Sequence, residues 1–336
     1  MTAATTRSAR QAGRGTRPLT AAALRLAAVP LAAERDGDLS GRFAATMDTQ
    51  LRVVLEQQRQ VRDLDDPEAV HQIRVAIRRM RVALRVNQDA VGTAGDELRA
   101  ELGWLGGELG VVRDLDVLAG RLAASGGSLG PADVDGLSEL LGALHDGRVR
   151  AREALQTVLD GDRYRTLLRA LPKLVRGCAT TMDTAGAVEA VAERPSDPLA
   201  LLDRPLRKLR REVAAAGSTP TNEQLHILRI KGKRLRYAAE LALGLCERRQ
   251  RKPLRRLIST AKDLQEVLGD HHDTVTAESW LREAFAARNG KQPALSGSAA
   301  LVAGRLLERE LVQRAGYENE WPRAWHELNE RARALD

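Results

Sequence analysis

From about residue 38 to the end of the chain, apolar residues recur at spacings of three and four, and β-branched alternation at period two is scarce. A chain patterned in this way can bury its apolar stripe only as amphipathic helices packed on one another, so an all-α fold is expected. Breakers and caps divide the pattern. Asp66-Pro67-Glu68 supplies a cap, a first-turn proline and an acid near the positive end of the helix dipole. Gly126-Gly127, Gly130-Pro131, Gly161-Asp162, Gly217 to Pro220 and Gly269-Asp270 punctuate the remainder. Residues 185–198 carry two prolines and few large apolar side chains, which reads as a linker between bundles at 38–184 and 199–336.

A boundary near mid-chain prompts a search for an internal repeat, and two matched blocks occur in the same order. Val70-His71-Gln72-Ile73-Arg74-Val75-Ala76-Ile77-Arg78-Arg79-Met80-Arg81 aligns with Leu225-His226-Ile227-Leu228-Arg229-Ile230-Lys231-Gly232-Lys233-Arg234-Leu235-Arg236. Leu105-Gly106-Gly107-Glu108-Leu109-Gly110-Val111-Val112-Arg113-Asp114 aligns with Leu264-Gln265-Glu266-Val267-Leu268-Gly269-Asp270-His271-His272-Asp273. The expectation is two helical bundles related by a pseudo-twofold.

Charge points to an anionic partner. The 336 residues hold 53 basic and 45 acidic side chains, a net +8, and 46 of the 53 are arginine. Four Trp, three Tyr and two Phe are too few for the repeated stacking platforms of single-strand nucleic-acid binders. Cys178 and Cys246 lie far apart with no CxxC pair, so neither a disulfide framework nor a thiolate zinc site is indicated, and a cytoplasmic setting is expected. Residues 1–37 read as a disordered basic arm. Four arginines and no acid occupy the first 18 positions, and Arg25 and Pro30 interrupt what a signal peptide would keep apolar. No stretch approaches the ~20 apolar residues of a membrane span.

At about 100° per residue, His71, Arg74, Arg78, Arg81 and Arg85 fall within about 80° of arc, beside an apolar arc of Ile73, Ile77, Met80 and Leu84. His226, Arg229, Lys233 and Arg236 repeat the arrangement, with Glu240 where Arg85 would fall and Arg79 and Arg234 to the side. Like charges at these spacings repel unless an anion meets them. Upstream, Arg52, Arg59 and Arg62 share one face, as do Arg204, Arg207 and Arg211, and Arg255 with Lys262 forms a further pair. Converging in one groove, these cations would suit a long polyanion, because arginine grips phosphate bidentately and weak contacts add along a chain.

Rival readings attach to single residues. For His71 and His226, a phosphate contact and a packing role both fit. Asp114 and Asp273 read as helix caps or counter-ions to arginine. His271-His272-Asp273 invites a metal, but adjacent histidines diverge on a helix and no partner motif follows. Walker, GxSxG, HExxH and dinucleotide signatures are missing, and Asp114 with Asp116 is the nearest approach to a Mg²⁺-holding pair. Binding without turnover, cofactor or metal is therefore expected. Nonspecific nucleic-acid binding by the same surface is the alternative, and a metal-dependent phosphate-ester enzyme near Asp114, Asp116 or Asp273 the third.

VHQIRVAIRRMRVALR, LGVVRDLDVL, LHILRIKGKRLRYAAEL and LQEVLGDHHD resemble the signature segments of CHAD domains, the conserved-histidine α-helical domains, over roughly residues 38–335. The resemblance implies two pseudo-symmetric four-helix-type bundles, a basic central surface, and binding of inorganic polyphosphate, often at polyphosphate granules. It carries the family's histidines onto His71 and His226. Its basic positions fall on Arg74, Arg78, Arg79, Arg81, Arg229, Lys233, Arg234 and Arg236. No ExExK strand motif of a triphosphate-tunnel domain accompanies them, so the chain resembles a stand-alone member. Gly103 to Gly107 departs from the pattern by placing glycine among helix formers, and local weakening of the first half is expected there.

Overall fold

The computed structural model describes residues 18–31, 39–63, 66–184, 198–286 and 295–335. Helices α1 (Leu39–Asp63), α2 (Pro67–Val86), α3 (Gln88–Gly126), α4 (Val134–Asp160), α5 (Asp162–Thr184), α6 (Ala200–Ala216), α7 (Asn222–Leu245), α8 (Arg248–Ala286) and α9 (Gly297–Arg333) account for nearly all of them. No strand occurs among the described residues. The all-α expectation holds, and most breakers fall between helices. Gly269-Asp270 does not, because α8 runs through it. One glycine cannot end a helix whose apolar face stays buried on both sides, as Leu264, Val267, Leu268 and His271 are here.

The described residues form two compact units. The first joins residues up to Asp116 with those from Gly147 through α5, and the second joins Val117–Asp146 with α6 to α9. The bundle limits read from the sequence differ, since 117–146 was assigned to the first half. Long-range contacts explain the difference. Arg121 Nε reaches the buried Glu310 carboxylate at 2.6 Å, Asp133 pairs with Arg305, and Glu139 accepts the Ser296 backbone N–H at 2.8 Å. At Gly136, a Cβ would come within 2.6 Å of the Ser298 carbonyl oxygen. The predicted linker lies outside the described residues except for Pro198.

The first unit's core gathers Met47, Leu51 and Val54 of α1, Ile73, Ile77, Met80 and Leu84 of α2, Leu102, Leu105 and Leu109 of α3, and Leu167, Leu168 and Leu171 of α5. Residues 18–31 belong to it, which corrects the disordered-arm expectation for that part of 1–37. Leu19 and Leu24 are buried in this core, and Gln58 donates to the Leu19 carbonyl at 2.6 Å while accepting from the Tyr164 hydroxyl at 3.2 Å. The mostly apolar run from Leu19 to Leu26, with Ala21 and Leu26 also packed on this core, supplies enough buried surface to order the segment. Residues 1–17 and 32–38 lie outside the described residues.

In the second unit, Leu202, Leu206 and Leu209 of α6 meet Leu225, Leu228 and Leu235 of α7, Leu254, Leu257 and Leu264 of α8, and Trp321 and Leu328 of α9. Cys246 is buried with a free thiol, and the Cys178 side chain lies outside the described residues.

Candidate functional site

In the first unit the basic strip is positioned by the start of α2. Asp66 accepts the Glu68 backbone N–H at 2.9 Å, and Pro67 opens the helix, fixing its rotation. With Ile73, Ile77, Met80 and Leu84 buried, the flank bearing His71, Arg74, Arg78, Arg81 and Arg85 runs beside α3. There Gly103, Gly106 and Gly110 form a floor. Arg74 Nη1 donates to the Gly106 carbonyl at 3.2 Å; a Cβ at Gly110 would stand 2.6 Å from Arg74 Nη1, and one at Gly103 3.4 Å from the Arg81 guanidinium. The glycines expected to weaken α3 are thus where arginines cross it, and the helix is continuous there. One turn on along α3 comes Arg113. Burial, then the Arg113 charge, lowers the His71 pKa; Arg78 and Arg74 add to this and Glu68 opposes it.

The second unit repeats the pattern with other side chains. A capping box, Thr221 accepting from the Gln224 N–H at 3.2 Å and Gln224 from the Thr221 N–H at 2.8 Å, starts α7. His226, Arg229, Lys233 and Arg236 then lie on the α8 side. The His226 and His272 rings are 4.7 Å apart, and a Cβ at Gly269 would be 4.0 Å from Arg229 Nε. Arg236 pairs with Glu240 at 3.4 Å, as an acid at that position suggests. A size exchange accompanies the match. Ile77 opposes Gly106 in the first unit, whereas Gly232 opposes Gln265 in the second, and Gln265 Nε2 donates to the Gly232 carbonyl at 3.2 Å.

Burial lowers the pKa of both second-unit histidines of the pair. For His226 the charges of Arg229 and Lys233 add to the effect and Glu223 opposes it. His272 is lowered to about 4 by burial, then by Arg229, His226, Lys233 and His271. His226 Nδ1 and Arg229 Nε are buried without a hydrogen-bond partner. His271 turns away from the pair, with Nε2 3.5 Å from Glu318 of α9, so the adjacent histidines diverge.

The other expected cations do not all join these strips. Arg52 is held by Asp48 at 2.8 Å and by the Ala27 carbonyl at 2.8 Å, and Arg62 by Asp160 and the Leu159 carbonyl. Arg59 is exposed on α1, and Arg79 lies on the opposite flank of α2 from Arg74, about 140° away by helical geometry. Lys231 and Arg234 likewise take the α6 side of α7. Arg211 and Lys231 both reach Glu212, at 3.3 and 3.4 Å. The Lys208 pKa is lowered by Arg204, then by desolvation, Lys231, Arg234 and Arg211. Cations of α6 therefore gather on a second flank, Arg207 being exposed on the same helix. Arg255 and Lys262 are exposed on α8, on the flank of Gly269 by helical spacing.

Asp114 and Asp273 sit inside α3 and α8, so neither caps a helix. Asp116 is buried and holds Arg148 at 2.7 Å and Arg152 at 3.2 Å. Among the described residues no group of three or more His, Cys, Asp or Glu side chains is arranged to hold a metal ion. Arg113, Gly110, His272, Lys208 and Lys231 were missed from sequence. Arg113 and His272 occupied one column of the repeat, and that register was the signal available for them.

Two units of packed helices, each with a histidine-led cationic flank, define a class of all-helical fold, and the comparisons place it. The CHAD domain model matches residues 45–282, and the chain belongs to that family. It matches two uncharacterized proteins of Mycobacterium tuberculosis, MT2285 and Rv2226, at 32% identity over 266 residues each. The match takes in 73% of this chain and 45% of either relative, so the chain spans about half their length. The crystal structure of the CHAD domain from the plant Ricinus communis aligns with a TM-score of 0.67 at 27% identity, over 94% of this chain and 97% of that one. PptA from Streptomyces chartreusis shares the fold, with a TM-score of 0.60 at 20% identity over 85% and 99%. Among the described residues no helix is long and apolar enough to cross a membrane.

Proposed function

We propose that this protein binds inorganic polyphosphate, without catalysis, through the flank of α2 beside α3 and the flank of α7 beside α8. The observation that carries the reading is that each unit sets a histidine and at least three Arg or Lys side chains along one helix flank, with a glycine of the next helix beneath the arginine that follows the histidine. Membership of the CHAD family supports it. Guanidinium groups grip phosphate oxygens through paired N–H donors, and several such contacts in a row favour a repeating anion over a compact one. No cofactor enters this mechanism. The Asp116 carboxylate, the nearest candidate for metal-assisted chemistry, is engaged by Arg148 and Arg152, which supports binding over turnover. The same reading places the protein in the cytoplasm, at polyphosphate stores.

The test is a competition titration of the full chain between long-chain polyphosphate and duplex DNA at physiological salt, with Arg74, Arg78 and Arg81 replaced together by Ala in a second preparation. Preference for polyphosphate, and loss of at least about tenfold affinity in a folded triple variant, is the expected result. Equal or better DNA binding would make the flanks a general polyanion surface. Unchanged affinity in the folded variant would remove α2 from the site.

A further inference from the structure

The two flanks differ at one column of the repeat, where Arg113 of α3 stands in the first unit and His272 of α8 in the second. In the second unit this residue's ring packs near that of the leading histidine, and in the first Arg113 follows Gly110, the glycine beneath Arg74, by one turn of α3. Arg113 is the charge that acts most on His71, and the His272 ring is 4.7 Å from that of His226. We propose that Arg113 and His272 are themselves anion-contacting residues, a permanent cation in the first unit and a proton-dependent one in the second. The second unit then binds its phosphate together with a proton. This rests on the polyphosphate reading and adds to it the residue that sets how each unit responds to pH.

The local geometry supports the assignment. His226 Nδ1 and Arg229 Nε are buried donors or acceptors with no protein partner, and they lie on the helix flank that meets the His272 ring. A phosphate group of the chain placed against that flank supplies the missing acceptor for Arg229 and a counter-charge for the imidazoles. The charged groups around the pair are Arg229, Lys233 and Glu223 of α7 and His271 of α8, with Glu318 and Arg314 of α9 acting on His271 from behind. Cations outnumber acids there, so the free pair stays neutral near pH 7, and an incoming anion reverses the balance. The proton comes from bulk water and resides on an imidazole nitrogen in the complex; no covalent bond changes. In the first unit the guanidinium of Arg113 is charged at every accessible pH and needs no proton.

The experiment is calorimetric titration of the full chain with tripolyphosphate near pH 6 and near pH 8, in buffers of differing ionisation heat. Wild type is compared with His272→Arg, His272→Gln and Arg113→His. The wild type is expected to take up protons on binding and to bind more tightly near pH 6. His272→Arg should lose more than half of the proton uptake and bind about threefold more tightly near pH 8, the size of one added charge contact. Arg113→His should weaken binding near pH 8 and add proton uptake. His272→Gln, which keeps a polar side chain should the arginine disturb packing, should lose uptake without the gain near pH 8. Binding that persists with uptake and pH profile unchanged in both His272 variants would overturn the proposal and leave the polyphosphate reading standing. A wild type that binds no tripolyphosphate or longer chain at either pH would overturn that reading itself.

Discussion

At Gly110 the difference between a hydrogen and a methyl group decides where Arg74 can lie, because a Cβ there would stand 2.6 Å from Nη1. The clash falls on the flexible end of a side chain, so the fold can absorb it and the guanidinium moves instead. Gly110→Ala is therefore expected to weaken polyphosphate binding while stability holds or rises, read by titration beside thermal denaturation. Gly107 provides the contrast, since a methyl there meets nothing within 4 Å. Gly107→Ala should stabilise the protein by about 0.5–1 kcal/mol through helix propensity, with binding unaltered. The histidines make a second residue-scale prediction. His71, His226, His271 and His272 all have folded pKa values below the ordinary 6.5, His272 at about 4. The unfolded chain then binds more protons than the folded one between those values, so stability is full above about pH 6.5 and falls on acidification toward pH 4. Thermal midpoints measured between pH 7 and 5 should fall, less steeply in His272→Gln, and polyphosphate should reverse part of the loss.

On the scale of helices, α2 against α3 and α7 against α8 make one kind of contact with the large and small residues exchanged. Ile77 over Gly106 becomes Gly232 beneath Gln265, whose amide also caps the Gly232 carbonyl at 3.2 Å. A close approach survives such an exchange only if both positions change together. Gly106→Gln alone is expected to destabilise the first unit by about 1–3 kcal/mol, because the added side chain starts 3.6 Å from the Ile77 methyl. Combined with Ile77→Gly, it should cost less than the sum of the two single changes by about 1 kcal/mol, measured as a denaturant double-mutant cycle. A cycle with no coupling would mean that the two helices are held elsewhere.

For the whole molecule the relevant quantity is the charge, 53 basic against 45 acidic side chains, with cations concentrated along the two flanks. Polyphosphate affinity should fall steeply as salt rises, with a log–log slope proportional to the phosphates neutralised, by the counterion release that governs nucleic acids. Replacing Arg74, Arg78 and Arg81 should lower that slope by about two to three, measured by titrating the same ligand at several salt concentrations. A slope that stays unchanged would place the neutralised charges outside α2.

Helix identity, the cap at Asp66, and the cationic arcs on α2 and α7 were all legible in the sequence, whereas the cap at Thr221 was seen only in the structure. Each depends on residues within a few positions of one another, and the 3.6-residue period places those without reference to the rest of the chain. Only the tertiary structure decided which residue of another helix each arc meets. Glycines read as weak points in α3 proved to be the floor under Arg74 and Arg81. Arg52 and Arg62, indistinguishable by spacing from ligand-binding arginines, are taken up by Asp48 and Asp160. Residues 117–146, contiguous with the first half, pack with α9 through Arg121–Glu310 and Asp133–Arg305. These outcomes turn on partners 4 to 189 residues away, and where the two partners lie on different helices, local periodicity carries no information about which flank faces which.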